Sequence, residues 1–267
     1  MHTAPPWRIP TPNSASSIVL RTPPTGHPID PDTLAERVLY GEGGWLVVDK
    51  PAGVPSTGRT RDDADALEFW LARHARRTVW AVHQLDATTS GVNVFVTRRT
   101  MVATVKERMS GRNARKSYLA LVAGSPADDE SIVDAPLGRV PVPGDPGRRG
   151  VVPDGQPART IVRVLARGDG ASLVRARIES GRTHQVRVHL AHLGHPVVGD
   201  VRYGGPESDA NRALLHAWRL RFRDGDPPGG FEAAPPQDLH AACRSAAIDL
   251  DAILAGLGPF RSGATGR

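Results

Sequence analysis

The sequence predicts an α+β domain, and three observations carry that prediction. Strand-like and helix-like segments follow one another without a strict βα rhythm. Val174, Ala176 and Ile178 interleave with Arg175, Arg177 and Glu179 at the period of a half-buried antiparallel strand. A chain of 267 residues that is 39% hydrophobic is ample for one well-buried core.

Residues 1–30 carry Pro5, Pro6, Pro10, Pro12, Pro23, Pro24 and Pro28 with Ser and Thr between them. Such a composition cannot bury enough apolar surface to order itself, so this stretch is read as a disordered arm. Residues 31–260 are read as one domain and residues 261–267 as a flexible tail. Within the domain, residues 45–48 form a buried strand closed by the turn signal Lys50-Pro51-Ala52-Gly53. Residues 64–77 form an amphipathic helix with Leu67, Trp70 and Leu71 on one face. Apolar strands at 79–82 and 92–97 flank the polar segment 83–91, a loop held between rigid elements, where a catalytic group is expected.

A basic helix at 100–109 leads to strands at 117–122, 158–166 and 173–178. Between them, residues 141–157 are rich in Gly and Pro and carry Arg148 and Arg149, which predicts an exposed basic loop. Residues 181–194 read as a helix with Thr183 as N-cap, Val186, Leu190 and Leu193 on its buried side and Gly194 as its stop. A strand at 214–222, a Pro/Gly-rich connection at 223–238 and a short helix at 244–257 complete the domain.

Charge narrows the partners. The formal charge is +6, and only Lys50, Lys106 and Lys116 of the 34 cations are lysine. The remaining arginines present planar forks suited to phosphates and base edges, so RNA or DNA is the expected partner, although an arginine-biased genome yields the same composition. The single cysteine, Cys243, excludes an intrachain disulfide and a cysteine-based zinc cluster, and it fits a reducing, cytoplasmic setting. No run of apolar residues is long enough to span a membrane. The histidines His184, His189, His192 and His195 lack the spacing of a zinc-binding pair, and no Gly-rich phosphate loop is present, so neither a metal nor a nucleotide cofactor is implied.

The segments that carry chemistry are His83-Gln84-Leu85-Asp86-Ala87-Thr88-Thr89-Ser90-Gly91, then Lys116-Ser117-Tyr118, then Gly181-Arg182-Thr183-His184-Gln185-Val186-Arg187-Val188-His189. Val47-Val48-Asp49-Lys50-Pro51 lies before them, and Gly194-His195-Pro196-Val197-Val198-Gly199-Asp200 and Leu215-His216-Ala217-Trp218 after them. A loop aspartate among hydroxyls is by itself a common turn-former. In this company and order, the sequence resembles the RluA branch of the RNA pseudouridine synthases over residues 38–236.

The resemblance implies the pseudouridine synthase catalytic fold, a bent, mixed but mainly antiparallel sheet with an RNA cleft across its middle. It implies an isomerase that converts uridine in ribosomal or transfer RNA to pseudouridine without a cofactor. Asp86 is then the nucleophile, Tyr118 stacks on the target uracil and Arg187 pairs with Asp86, with His83, Gln84, Thr89, Lys116, Arg182, His184 and Gln185 lining the substrate site. A buried carboxylate needs such a guanidinium to stay ionised. Many relatives carry an S4-type RNA-binding domain ahead of the catalytic part; residues 1–30 are too few to form one, and a monomer is expected.

The family loop usually has Arg where this sequence has Gln84, which points to weaker phosphate contact there. That departure keeps a non-catalytic RNA-binding role open as an alternative. A glycosidic-bond hydrolase is a further one, although no second acid accompanies Asp86 in its loop.

Overall fold

A computed structural model describes residue 29, residues 33–223 and residues 229–258. The expected tail and all of the expected arm except Ile29 lie outside these residues. Ile29 is buried in the cluster that also holds Leu34, Leu67 and Trp70.

The chain runs through β1 (Val38–Tyr40), β2 (Trp45–Lys50), α1 (Leu67–His74), β3 (Trp80–Ala81), β4 (Ser90–Val96) and α2 (Met101–Arg108). It continues through β5 (Ala114–Ala123), β6 (Glu130–Asp134), β7 (Leu137–Arg139), β8 (Arg149–Val151), β9 (Arg159–Arg167) and β10 (Ala171–Ile178). The last elements are α3 (Gln185–His192), β11 (Leu215–Phe222), β12 (Gly230–Glu232), α4 (Gln237–Ser245) and α5 (Leu250–Gly256).

The main sheet has the order β1-β2-β4-β11-β5-β10-β9-β6, with β3 paired to β4 and β12 to β11. Every pairing in it is antiparallel except one. Strands β4 and β11 run parallel and share only the rungs Ser90↔His216 and Gly91↔Ala217. That short contact is a seam between two antiparallel halves. The half on the β2 side packs Val47, Val94 and Phe95 into its cores, and the other half packs Leu119, Leu173, Trp218 and Leu239 into a separate one. All seven residues of β4 are buried, as befits a central strand covered on both faces.

Four local expectations change. Residues 141–157 are not all loop, because β8 pairs with β7 to make a separate hairpin. Residues 223–238 contain β12 and the start of α4. The C-terminal helix is two helices: Ala247 takes φ +56° after α4, and Asp249 accepts from Ala252 N–H to cap α5. Helix α3 begins later than expected. Thr183 is not its cap; His184 holds that place in a left-handed conformation, φ +56°. The side chain that satisfies the approach is that of Gln185, whose Oε1 accepts from the backbone N–H of Arg182 and the hydroxyl of Ser180. Instead of one buried side, α3 has six consecutive buried residues, Gln185 to Leu190, because β8 and β9 close over it.

Candidate active site

Asp86 lies on the loop that enters β4, directly at the seam, and the loop is tied down from several elements. At its front, Ser56 Oγ accepts the N–H of Leu85 at 2.9 Å and donates to Asn93 Oδ1 at 2.7 Å. At its tip, the carbonyl of Ala87 accepts from Lys50 Nζ at 3.2 Å and from Gly53 N–H at 2.8 Å. Behind it, Arg212 donates to the carbonyl of Thr88 at 3.0 Å while its other nitrogens hold Asp238. The Asp86 carbonyl receives the N–H of Thr89, closing a turn.

The residues after Asp86 explain themselves by the seam. Gly91 has φ +107°, and a Cβ there would stand 2.2 Å from the carbonyl oxygen of Ala217, so glycine is what lets β4 and β11 cross this closely. Beside it, Ser90 Oγ meets His216 Nδ1 at 2.9 Å, and His216 Nε2 reaches the Ala233 carbonyl. Ser90-Gly91 and His216-Ala217 are therefore two sides of one junction.

Arg187 projects from α3 across this junction. Its Nη1 donates to Asp86 Oδ2 at 2.9 Å, and its Nε and Nη2 grip both oxygens of Asp200 at 2.6 and 2.7 Å. Asp200 is 2% exposed, placed there by Gly199, whose Cβ would collide with the Arg212 carbonyl. Burial opposes the charge on Arg187, but the hydrogen bonds and charges of Asp200 and Asp86 outweigh it and hold its pKa above the ordinary value. The guanidinium is permanently charged and geometrically fixed. Asp86 Oδ1 points the other way, 3.7 Å from His184 Nε2.

Two clefts meet at Asp86. One of about 970 Å³ is lined by Tyr118, Lys116, Gln84, Arg182 and Leu215. The other, of about 960 Å³, is lined by Arg202, Asn211 and Arg212. Tyr118 is nearly buried on β5 opposite Ala176. Burial, with the Asp86 charge adding to it, raises its pKa, so the phenol remains protonated and presents a neutral ring. Lys116 Nζ donates to the Met109 carbonyl, and burial beside Arg182 brings its pKa down to about 8.

Asp86, Tyr118, Arg187, Lys116 and His184 thus converge. Gln84 and Arg182 form the exposed rim: Gln84 donates to Thr57 Oγ1, and Arg182 donates to the Pro157 carbonyl. His83, Thr89 and Gln185 line the same cleft but are engaged within the protein. His83 Nε2 accepts from Val94 N–H, and burial lowers its pKa to about 3, so the ring is neutral. Thr89 is buried in the turn, and the Gln185 amide is held by the Arg159 carbonyl, Thr160 Oγ1, Ser180 and Arg182.

Residues 44–192 match the family model described as RNA pseudouridylate synthase. An RNA pseudouridine synthase of Zymomonas mobilis is 40% identical over 71% of this chain and 88% of its own length. The dual-specificity RNA pseudouridine synthase RluA of Yersinia pestis is 35% identical over 68% of this chain and 90% of its own. Among solved structures, human RNA pseudouridylate synthase domain containing 1 is 27% identical, with a TM-score of 0.65 over 82% of this chain and 93% of its own. The chain belongs to the RNA pseudouridylate synthase family. Within it, the resemblance to the RluA type holds.

Four residues of this pseudouridylate synthase site were not singled out from the sequence. Asp200 and Lys50 stood inside quoted motifs, and a glycine before Asp200 and a proline after Lys50 marked both places. Lys50 is fully buried, donates to the carbonyls of Pro51, Val54 and Ala87, and burial lowers its pKa to about 7. Arg212 and Tyr203 lay in segments with no motif, and only the chain's path brings them to Asp86.

Proposed function

We propose that this pseudouridine synthase acts on uridines of ribosomal or transfer RNA, with Asp86 as its nucleophilic carboxylate. The observation that carries this reading is the arrangement around Asp86. One carboxylate oxygen is held by a fixed guanidinium, and the other lies 3.7 Å from His184 Nε2 beside a cleft that opens on a neutral aromatic ring. The reaction breaks N1–C1′, turns the uracil while it is bound, forms C5–C1′, moves the C5 proton away and returns a proton to N1. Asp86 serves at the sugar carbon, as nucleophile or as the base beside it. Tyr118 offers a face on which the detached uracil stacks.

A base inside stacked RNA cannot reach this cleft, so the target nucleotide is flipped out, which favours loops and bulges over regular duplex. The cleft volume accommodates one nucleotide. Asp200, which shares Arg187 with Asp86, is buried with both oxygens on that guanidinium and has no freedom to serve as the proton-donating carboxyl of a two-carboxylate hydrolase. No described helix is long and apolar enough to cross a membrane. A single cysteine fits a reducing setting, and on that ground we read the enzyme as cytoplasmic, with a monomer as the default. The test is tritium release to water from RNA labelled at uridine C5. Release by the wild type and none by Asp86→Asn is expected; release by Asp86→Asn would remove the assigned nucleophile.

A further inference from the structure

Tyr203 stands at the centre of an unusual group of contacts. Its ring lies 5.0 Å from the guanidinium carbon of Arg187, 5.1 Å from that of Arg148 and 6.0 Å from that of Arg202. Arg202 in turn clasps Asp145 of the β7–β8 hairpin. The Tyr203 hydroxyl accepts the backbone N–H of Arg149 at 3.2 Å and meets His184 Nδ1 at 2.6 Å. The two rings are edge to face, 5.6 Å between centres.

A phenol has one proton to give. Burial raises the Tyr203 pKa, so that proton is retained, and burial lowers the pKa of His184, so the imidazole is neutral despite Asp86 nearby. A neutral imidazole carries its proton on one nitrogen only, and its hydrogen-bond partner decides which. The Tyr203 oxygen has a second lone pair, but were it to accept from Nδ1–H its own proton would lack a partner in this group of contacts, so the arrangement that satisfies both groups is donation from Tyr203 to His184 Nδ1. The imidazole proton then resides on Nε2, the atom that faces Asp86 Oδ1 at 3.7 Å. His184 carries this contact from a left-handed backbone position, φ +56°, at the entrance to α3.

We infer that Tyr203 sets the tautomer of His184, so that His184 presents a neutral N–H donor to Oδ1 of Asp86 and fixes the carboxylate's orientation. Both are positioning residues. Arg187 fixes Oδ2 and His184 restrains Oδ1, so the carboxylate cannot turn about its own bond. The gap closes to a hydrogen bond by a small rotation of either side chain. The role in catalysis rests on Asp86 as nucleophile, whereas the tautomer does not.

Two measurements separate these levels. In the free protein, ring 15N shifts of His184 report the tautomer directly: Nε2–H is expected in the wild type and a mixture in Tyr203→Phe, which keeps the ring over Arg187. Nδ1–H in the wild type would overturn the inference whatever the enzyme does. In the tritium assay, Tyr203→Phe is expected to lower kcat about tenfold with KM little changed. His184→Leu should lose at least as much, and His184→Gln, which keeps a donor near the Nε2 position, should recover most of it. Adding Tyr203→Phe to His184→Gln should cost little more. Equal losses in His184→Gln and His184→Leu, or losses that multiply in the double variant, would overturn it. Activity persisting in Asp86→Asn would instead overturn the nucleophile assignment and leave the tautomer result standing.

Discussion

Arg182 and Arg187 come from the same motif and are used in opposite ways. Arg187 is 6% exposed and spends all three nitrogens on Asp86 and Asp200; Arg182 is exposed and uses one nitrogen on a backbone carbonyl. The contrast extends across the site. Lys50, Ser56, Asp200, Arg212 and His216 are buried and satisfied by the protein, whereas Gln84 and Arg182 form an open rim. Much of the family signature is therefore the folding apparatus of one loop, and a smaller part is left to meet RNA. Inner substitutions should cost stability and turnover; rim substitutions should cost affinity alone.

Asp200→Ala should give the largest effect. It leaves Arg187 buried with only Asp86 opposite, and removal of one partner from a buried pair costs about 3–5 kcal/mol. A denaturation midpoint well below that of the wild type, with turnover reduced at least a hundredfold, is expected. A fully stable Asp200→Ala would break the distinction at its strongest point.

Lys50→Met sharpens the same comparison through pH. Burial brings the pKa of Lys50 in the folded protein to about 7, below the ordinary lysine value of 10.5, so between these values the unfolded chain binds more protons than the folded one. The cost of burying the charge is full below pH 7 and is relieved as pH rises. The stability of the wild type relative to Lys50→Met should then rise between pH 7 and 10, with a slope of at most about 1.4 kcal/mol per pH unit. A flat difference across that range, measured by denaturant titration, would show that Lys50 keeps its proton throughout.

The inner wall and the rim were also unequally legible in sequence. The α+β class, the central strands and the loop between them that carries Asp86 followed from apolar runs and their period, because strands buried on both faces write continuous hydrophobic text. Asp86, Tyr118 and Arg187 came through the motif resemblance, and the structure brings all three to one cleft. Tyr203 and Arg212 could not be found that way. Tyr203 sits in a short 3-10 helix (Val201–Tyr203), and its partners come from α3 and the β7–β8 hairpin, which are joined to it only in three dimensions. The cap of α3 was misplaced for a local reason: Thr183 has the chemistry of a cap, but the N–H of Gln185, which such a cap would hold, is taken by the Arg182 carbonyl, and the chain enters the helix at left-handed His184.

On the rim, Arg182→Ala should leave the denaturation midpoint unchanged within about 0.5 kcal/mol. It should raise KM several-fold and flatten the salt dependence of RNA binding by about one phosphate contact. A loss of kcat with KM unchanged would move Arg182 to the inner group.

The smallest effect is expected from Gln84→Arg, which restores the residue usual in the RluA-type loop. Gln84 is exposed at the mouth of the Tyr118 cleft, and its side chain donates to Thr57 Oγ1 at 2.6 Å. Exchanging it removes nothing the fold depends on, so stability should be unchanged. An added guanidinium at the mouth places a positive charge where the backbone of a flipped nucleotide must pass. The slope of log affinity against log salt should steepen by about 0.7 for a single-stranded target, with kcat unaltered because Asp86 and Arg187 are untouched. An unchanged salt slope would mean that position 84 meets the RNA through its bases or not at all, and the positive charge of the rim would then rest on Arg182.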